Sequence, residues 1–469
     1  MPQMPMDLYM RDEPAFRSMI PEDLESAVDA GIRYATSLGA SGAEAFLSVS
    51  RSRKAVVQNG ALEDLTSSKR GGLGVRVMRQ GSSGIRIGSA TTTDLSRRDF
   101  KEVFYQAWEL SALGDEDPWV RQVGPSGEDD LPSRFDIRAE ALKPEDRIKR
   151  ALLLEECARA TSKNVSAVRK SVWADGSGAS LLLTDKNIRA PSVGSSCTAS
   201  IELAAEMDSD RQAAWHWDIG RHPEAIDIQA IGREAARKAV AKLKPCQLPA
   251  GKYPVVLHPE VTVDLLGIVA SMLDAESVLR GRSLFAGKTD LAIASPLLTL
   301  IDDARLPTGL GSEPWDGEGV PTRQNMLIKD GVLCTYLHNL RSAAEMGVAG
   351  TANASRGTLG NPGITTFNLF PLSGKKNAES IIAQAHDGVM ITEVMGLHTV
   401  NPVSGDMSVG ASGIRIRNGI LEESVDRMTL AGNIRDLLLC VVEVGSDLRW
   451  YGSSAGLTLL LEEVALGGN

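Results

Sequence analysis

Chemistry on a peptide or ester bond needs a metal-activated water, a nucleophile beside a base, or a matched pair of acids. Each leaves a mark in residue spacing. The histidines test the first; the six of this 469-residue chain lie at 216, 222, 258, 338, 386 and 398. A helical zinc site needs two imidazoles one turn apart and a Glu beside them to activate water. No histidine here is followed by Glu, and Gly220 interrupts the stretch between His216 and His222. The run Gly452-Ser453-Ser454-Ala455-Gly456 fits a nucleophile elbow by letter. That elbow needs a strand before it, a helix after it and a later His, whereas the last His is His398. It reads as a Gly/Ser loop. Gly71-Gly72-Leu73-Gly74 lacks the spacing and the Lys-Ser/Thr of a phosphate loop. Two acid pairs, Asp302-Asp303 and Asp316 with Glu318, have the oxygen chemistry of a hard-cation site, although solvated turns are their plainer reading. Arg51, Arg53 and Lys54 read as charges guarding an exposed strand edge.

The elements that must position these residues follow from periodicity. Pro21, Glu22 and Asp23 suit a helix start, and Leu24, Val28, Ile32, Ala35 and Leu38 recur at helical spacing. Short strands are expected at 43–50, 54–58, 74–78 and 84–87, with Asn59-Gly60 as a hairpin turn, and a helix at 95–113. A Pro/Asp/Glu-rich stretch follows. The same order then returns: a helix at 144–160, strands at 165–173, 179–184, 197–204 and 212–218 with Asp175-Gly176 as a turn, and a helix at 223–243. Beyond it lie a strand at 253–257, a helix at 261–273, and mostly β material with turns at Asp330-Gly331 and Asn418-Gly419. Closely spaced strands with Gly turns argue for an antiparallel sheet rolled toward a barrel. The expected fold class is therefore α+β, with two N-terminal helix–β-meander–helix units and a C-terminal, mainly antiparallel, barrel-like domain. The expected divisions are an irregular lead-in at 1–20, a first domain at 21–114, a linker at 115–145, a central domain at 146–248 and a C-terminal domain at 249–469.

Composition narrows the class. With 45 Gly, 21 Pro, 43% hydrophobic and 23% charged residues, the chain is an ordinary globular protein. A formal charge of −10 and only 4% aromatics offer neither a phosphate-binding stripe nor a base-stacking surface, so no nucleic acid is expected as partner. Five widely spaced cysteines propose neither a disulfide framework nor a Cys-rich zinc site and suit the cytoplasm. No signal-peptide core follows the acidic N-terminal residues, and the apolar run at 261–273 contains Asp264 and is too short to span a bilayer, so no membrane is expected.

Two C-terminal stretches say more. Residues 311–319 read G-S-x-P-x-D-x-E-G, 401–408 read N-P-x-S-G-D-x-S, and 431–433 read A-G-N ahead of G-x-D-L at 445–448. In this order they resemble the TldD/PmbA family, the modulators of DNA gyrase; residues 71–96 also look like that family's first domain. The resemblance implies a zinc peptidase complex that cleaves unfolded peptides inside a closed chamber. In one branch the zinc is held by an H-E-x-x-x-H helix and a C-terminal Cys. The other, PmbA- or TldE-like, lacks these and pairs with the zinc-bearing sibling. Here the corresponding helix, 261–273, has no His, and the Cys position falls near Gly452-Ser453-Ser454, without Cys. The resemblance thus implies a PmbA-like subunit with no catalytic or metal residues of its own, and zinc held by a TldD-like sibling in a heterodimer, with a homodimer possible when alone. Alternatives are a self-sufficient homodimeric hydrolase using Asp316 and Glu318, and a regulatory protein acting on a topoisomerase or a toxin–antitoxin system.

Candidate chamber or substrate contacts are Asn401, Ser404, Gly405, Asp406, Asp316 and Glu318. The strands at 74–78 and 84–87 are short, Gly-flanked and β-branched, so Arg76, Val77 and Ile85 are expected at an edge to which an extended peptide adds as a strand.

Overall fold

A computed structural model describes residues 12–124, 131–358 and 361–468. Residues 1–11 of the expected lead-in lie outside the described residues, and the rest of it holds a short helix, α1 (Glu13–Met19). Helix α2 (Glu22–Ser37) starts at Pro21 and turns Leu24, Val28, Ile32 and Ala35 inward.

Both helix–meander–helix units are present, and they share one sheet. Strands β1 (Gly42–Gln58), β2 (Ala61–Gln80) and β3 (Ile85–Thr92) lead to α3 (Lys101–Ser111). After the short α4 (Ile137–Ala141) come α5 (Pro144–Thr161), β4 (Val165–Thr184), β5 (Arg189–Met207), β6 (Asp210–Gly220) and α6 (Ile228–Ala241). The order is β3-β2-β1-β4-β5-β6, antiparallel throughout, with β1 pairing β4 to join the units. Side chains alternate across the pleat. Ala45, Leu47, Val49, Leu181 and Val193 face α1–α3, while Trp173, Cys197, Ala199 and Ile201 face α5 and α6. The opposite face carries Ser48, Ser50, Ser52, Gly178, Ser180 and Ser196, which floor a trough of about 800 Å³.

Two local readings change. Strands expected separately at 43–50 and 54–58 are one strand, β1, so Arg51, Arg53 and Lys54 lie between β2 and β4 and guard no edge. Asp175-Gly176 is mid-strand in β4. A Cβ on Gly176 would come within 2.6 Å of the Arg51 carbonyl, which explains glycine there by close approach of the backbone. Asp175 is buried and accepts from Arg147 of α5 through Nε at 2.5 Å and Nη2 at 2.9 Å, with Arg53 3.5 Å away. The Asn59-Gly60, Asp330-Gly331 and Asn418-Gly419 turns do form, each with both residues at positive φ.

The C-terminal region opens with β7 (Gly251–Leu257), α7 (Pro259–Met272) and α8 (Ala275–Leu279). Next come β8 (Leu300–Asp303), β9 (Gln324–Lys329), β10 (Val332–Leu333), α9 (Leu340–Met346), β11 (Ala354–Ser355), β12 (Gly363–Ile364) and β13 (Leu369–Pro371). The chain ends with α10 (Ala378–Ala385), β14 (Gly388–Met395), β15 (Asp406–Arg417), β16 (Ile420–Asn433), α11 (Ile434–Leu439), β17 (Val441–Val444), β18 (Arg449–Tyr451), β19 (Ser454–Gly456) and β20 (Leu459–Gly467). Strands β16-β15-β14-β7-β20 close into a five-stranded barrel through the β16–β20 pairing, with β17 added to β20. Only β7–β14 is parallel within it. A second sheet, β10-β9-β8-β13-β19-β18, packs beside the barrel, and Leu265, Leu266 and Val269 of α7 join the shared core.

Asp175→Asn would be harmless in a turn. In β4 it strips Arg147 of its charge partner, and breaking a buried pair costs about 3–5 kcal/mol. The variant is expected to melt at a clearly lower temperature, with Arg147→Met/Asp175→Asn recovering part of the loss; thermal unfolding of the intact chain measures both.

Candidate functional site

The helix α7 and the strand β19 are over 180 residues apart in sequence, yet they touch. A Cβ on Gly456 would meet the Pro259 carbonyl at 2.1 Å and Val263 at 2.9 Å. Helical geometry puts Asp264, Gly267 and Ser271 on one stripe, and all three are exposed. Beside them opens a cleft of about 500 Å³ between β6 and α6 on one side and α7, β14 and β15 on the other. Trp215, Trp217, Met390 and Tyr451 line it with charged side chains from α6, α7, β14 and β16.

Ion pairs tie its two sides together. Lys238 of α6 donates to Glu260 of α7 at 2.5 Å, and Lys242 donates to Glu393 of β14. His216 lies between cations, with Lys238 Nζ 3.3 Å from Nδ1 and Arg449 Nη2 3.4 Å from Nε2. Burial and then the Lys238 charge push its pKa down to about 4, so the ring is neutral. His258 caps α7: its Nδ1 accepts from the Glu260 amide at 3.3 Å, which leaves the ring proton on Nε2, and burial lowers its pKa to about 4. The Tyr451 hydroxyl is buried with no hydrogen-bond partner among the described residues, and burial raises its pKa. Asp264 is raised by desolvation and then by the Glu260 charge.

The expected contact residues fall in three separate places. Asp316 and Glu318 sit at the joint between the C-terminal region and the first sheet. Asp316 accepts amide bonds from Glu318 at 2.9 Å, Val320 at 3.0 Å and Ala354 at 3.1 Å. Glu318 accepts from the Leu340 amide at 2.7 Å. Burial raises Asp316 to about 6, and burial plus the Asp316 charge raises Glu318 to about 8. Trp315 packs against Leu182, Ile188 and Ala190 of the sheet, and a Cβ on Gly319, at φ +79, would come within 2.8 Å of Ile188. Arg76 belongs to the same joint: it reaches Glu44 at 3.1 Å, and Arg356 reaches the same carboxylate at 2.5 Å. Burial alone would raise Glu44, but Arg356 and Arg76 hold it below its ordinary value.

Asn401, Ser404, Gly405 and Asp406 form a tight turn. Asn401 Oδ1 accepts from the Val403 and Ser404 amides, and Asn433 Nδ2 donates to the Ser404 carbonyl and to Asp406. The A-G-N motif thus ends in the residue that staples the N-P-x-S-G-D turn and caps α11. Asn401, Ser404 and Asp406 are exposed. The expected strand-addition edge is not free. Arg76 and Val77 lie on β2, which is paired on both sides. Ile85 begins the outer strand but already exchanges both backbone bonds with Asp117, at 3.0 and 2.9 Å.

The donor set does not fit zinc. Among the described residues no three His, Cys, Asp or Glu side chains come together as a metal site. The open stripe of α7 offers one carboxylate, Asp264, and the 452–456 segment offers only serines among side chains with polar atoms. His216 and His258 are turned to cations and to the helix cap.

Three family models cover most of the chain: PmbA/TldA metallopeptidase domain 1 over residues 43–111, the central domain over 137–243 and the C-terminal domain over 250–468. The chain is 26% identical over 452 residues to Metalloprotease PmbA of Escherichia coli O157:H7, covering 95% of this chain and 96% of that one. It is 30% identical over 306 residues to a Metalloprotease TldD homolog of Haemophilus influenzae, covering 63% of each. A Thermotoga maritima crystal structure described as a DNA gyrase modulator superposes with a TM-score of 0.86 at 26% identity, over 94% of this chain and all of that one.

The raised carboxyl of Glu318 carries a pH signature. A group that holds its proton more tightly when folded contributes stability that is complete below its unfolded pKa and is lost as pH climbs through the folded value. Glu318→Gln keeps an acceptor for Leu340 and cannot ionise. Its stability relative to wild type is expected to rise by about 1–3 kcal/mol between pH 5 and pH 9, read from unfolding of both proteins across that range.

Proposed function

Because the chain belongs to the TldD/PmbA metallopeptidase family, we propose that it is the zinc-free, PmbA-like subunit of a peptidase whose sibling holds the metal. The observation that carries this reading is the meeting of α7 with the segment at 452–456, through Gly456 of β19; these two stretches supply zinc ligands in the zinc-bearing branch, and neither carries an imidazole or thiolate here. The match to a PmbA-named protein over nearly its whole length, against 63% for a TldD-named one, supports the same branch. In this reading the TldD-like sibling supplies zinc and the activated water, while this chain walls the chamber and helps hold an unfolded peptide. The exposed Asn401–Asp406 turn is its candidate contact with sibling or peptide. Asp316 and Glu318 are bound into the joint with the first sheet, which counts against a self-sufficient hydrolase built on them.

The cytoplasm is the proposed compartment. All five cysteines are free thiols, and no helix among the described residues is long and apolar enough to cross a membrane.

Purified alone from chelator-free buffer, the chain is expected to hold no stoichiometric zinc by elemental analysis. Pulled from its native cell, it is expected to bring a zinc-bearing sibling with it. One tightly held zinc per isolated chain would overturn the subunit reading.

A further inference from the structure

The cleft beside α7 is a built cavity with an uncompensated charge. Its walls carry five carboxylates and three cationic side chains, with His258 neutral. Lys238 is spent on Glu260, Lys242 on Glu393, and Arg237 lies 3.9 Å from Glu234. Asp426 accepts from Ser412 at 2.7 Å. Asp264 has no hydrogen-bond or ion-pair partner among the described residues, and it opens onto the cleft. The aromatic side chains sit in the same cavity. Trp215 is 53% exposed, its ring parallel to that of Trp217 at 6.4 Å between centroids, and the buried Tyr451 hydroxyl has no partner among the described residues.

We propose that this cleft binds a segment of the peptide substrate in which a basic side chain neighbours an aromatic or large apolar one. The assignment deepens the subunit reading above and rests on it for the identity of the ligand as a peptide. Aromatic faces beside a free carboxylate attract a cation through ring quadrupole and charge together. A purely apolar segment would desolvate Asp264 without compensation, and an acidic one would add to the negative excess. The volume falls within the range of about 300–1,000 Å³ typical of ligand sites and admits a short stretch of chain, not a folded domain.

Binding is measured on the isolated full chain by calorimetry and tryptophan fluorescence, with N-acetyl-Phe-Arg-amide, N-acetyl-Phe-Glu-amide and N-acetyl-Gly-Arg-amide as probes. The Phe-Arg probe is expected to bind about tenfold more tightly than either other probe. Asp264→Asn is expected to bring Phe-Arg down to the level of Phe-Glu, and Trp215→Ala to bring it down to that of Gly-Arg. Both positions are exposed, so melting temperatures should stay at the wild-type value and separate site loss from misfolding. Equal binding of Phe-Arg and Phe-Glu, an Asp264→Asn variant that keeps the full preference, or no saturable binding of any probe would overturn the proposal. None of these outcomes touches the subunit reading, which stands or falls on zinc content and the co-purified sibling. Charge-selective binding by a chain that carried its own zinc would in turn leave the cleft assignment intact and remove that reading.

Discussion

One buried carboxylate holds the two halves of this molecule in register. Glu44 lies on β1 directly across from Arg76 on β2, and it also receives Arg356 from the C-terminal region. A charge in that position is tolerable only when paired, because the interior withdraws the solvation that water would supply. Neither arginine belongs to the cleft, but together they fix where the Trp315 loop, β11 and the Leu340 helix start meet the first sheet. The trough on the sheet's serine face and the cleft beside α7 both lie between those halves. Their widths are set by this joint and by the two lysine ion pairs at α6.

Some of the fold was legible in short stretches of sequence because its cause is local. Asn59-Gly60, Asp330-Gly331 and Asn418-Gly419 each hold their turn chemistry in two residues, and the α2 periodicity needs only its own stripe. Asp175-Gly176 has the same letters and a different cause. Its Gly serves a neighbouring backbone and its Asp serves an arginine on another element, so nothing within a few residues distinguishes it from a turn. The polar middle of β1 was misleading in the same way: Arg51 and Arg53 break the hydrophobic pattern because they answer Glu140 and Asp175, each more than 80 residues away. The single sheet shared by both units depends on the β1–β4 pairing, a contact no window on the sequence contains.

The candidate site was legible mainly as an absence, since α7 and the 452–454 loop lack imidazoles and thiols. What occupies that region could not be read, because the cleft draws on residues from 214 to 264 and from 390 to 451. The only local signal was Trp215-x-Trp217, two aromatics on one face of an outer strand in a chain otherwise poor in them. The family motifs, by contrast, were prominent and mark architecture: 311–319 forms the joint, and 401–406 with 433 forms a stapled turn.

The closed barrel also sets a schedule for synthesis. Its first strand, β7, gains a partner on one edge with β14 but must wait for β20 on the other, and β16 has no partner on its outer side until the same segment arrives. About 200 residues separate β7 from β20, and at roughly 5–20 residues per second a ribosome needs on the order of 10–40 s to cover them. The first sheet, complete by Gly220, can form during that interval. Throughout it β7 carries Val255, Val256 and Leu257 without its antiparallel neighbour, the kind of exposed apolar edge with which another chain can pair.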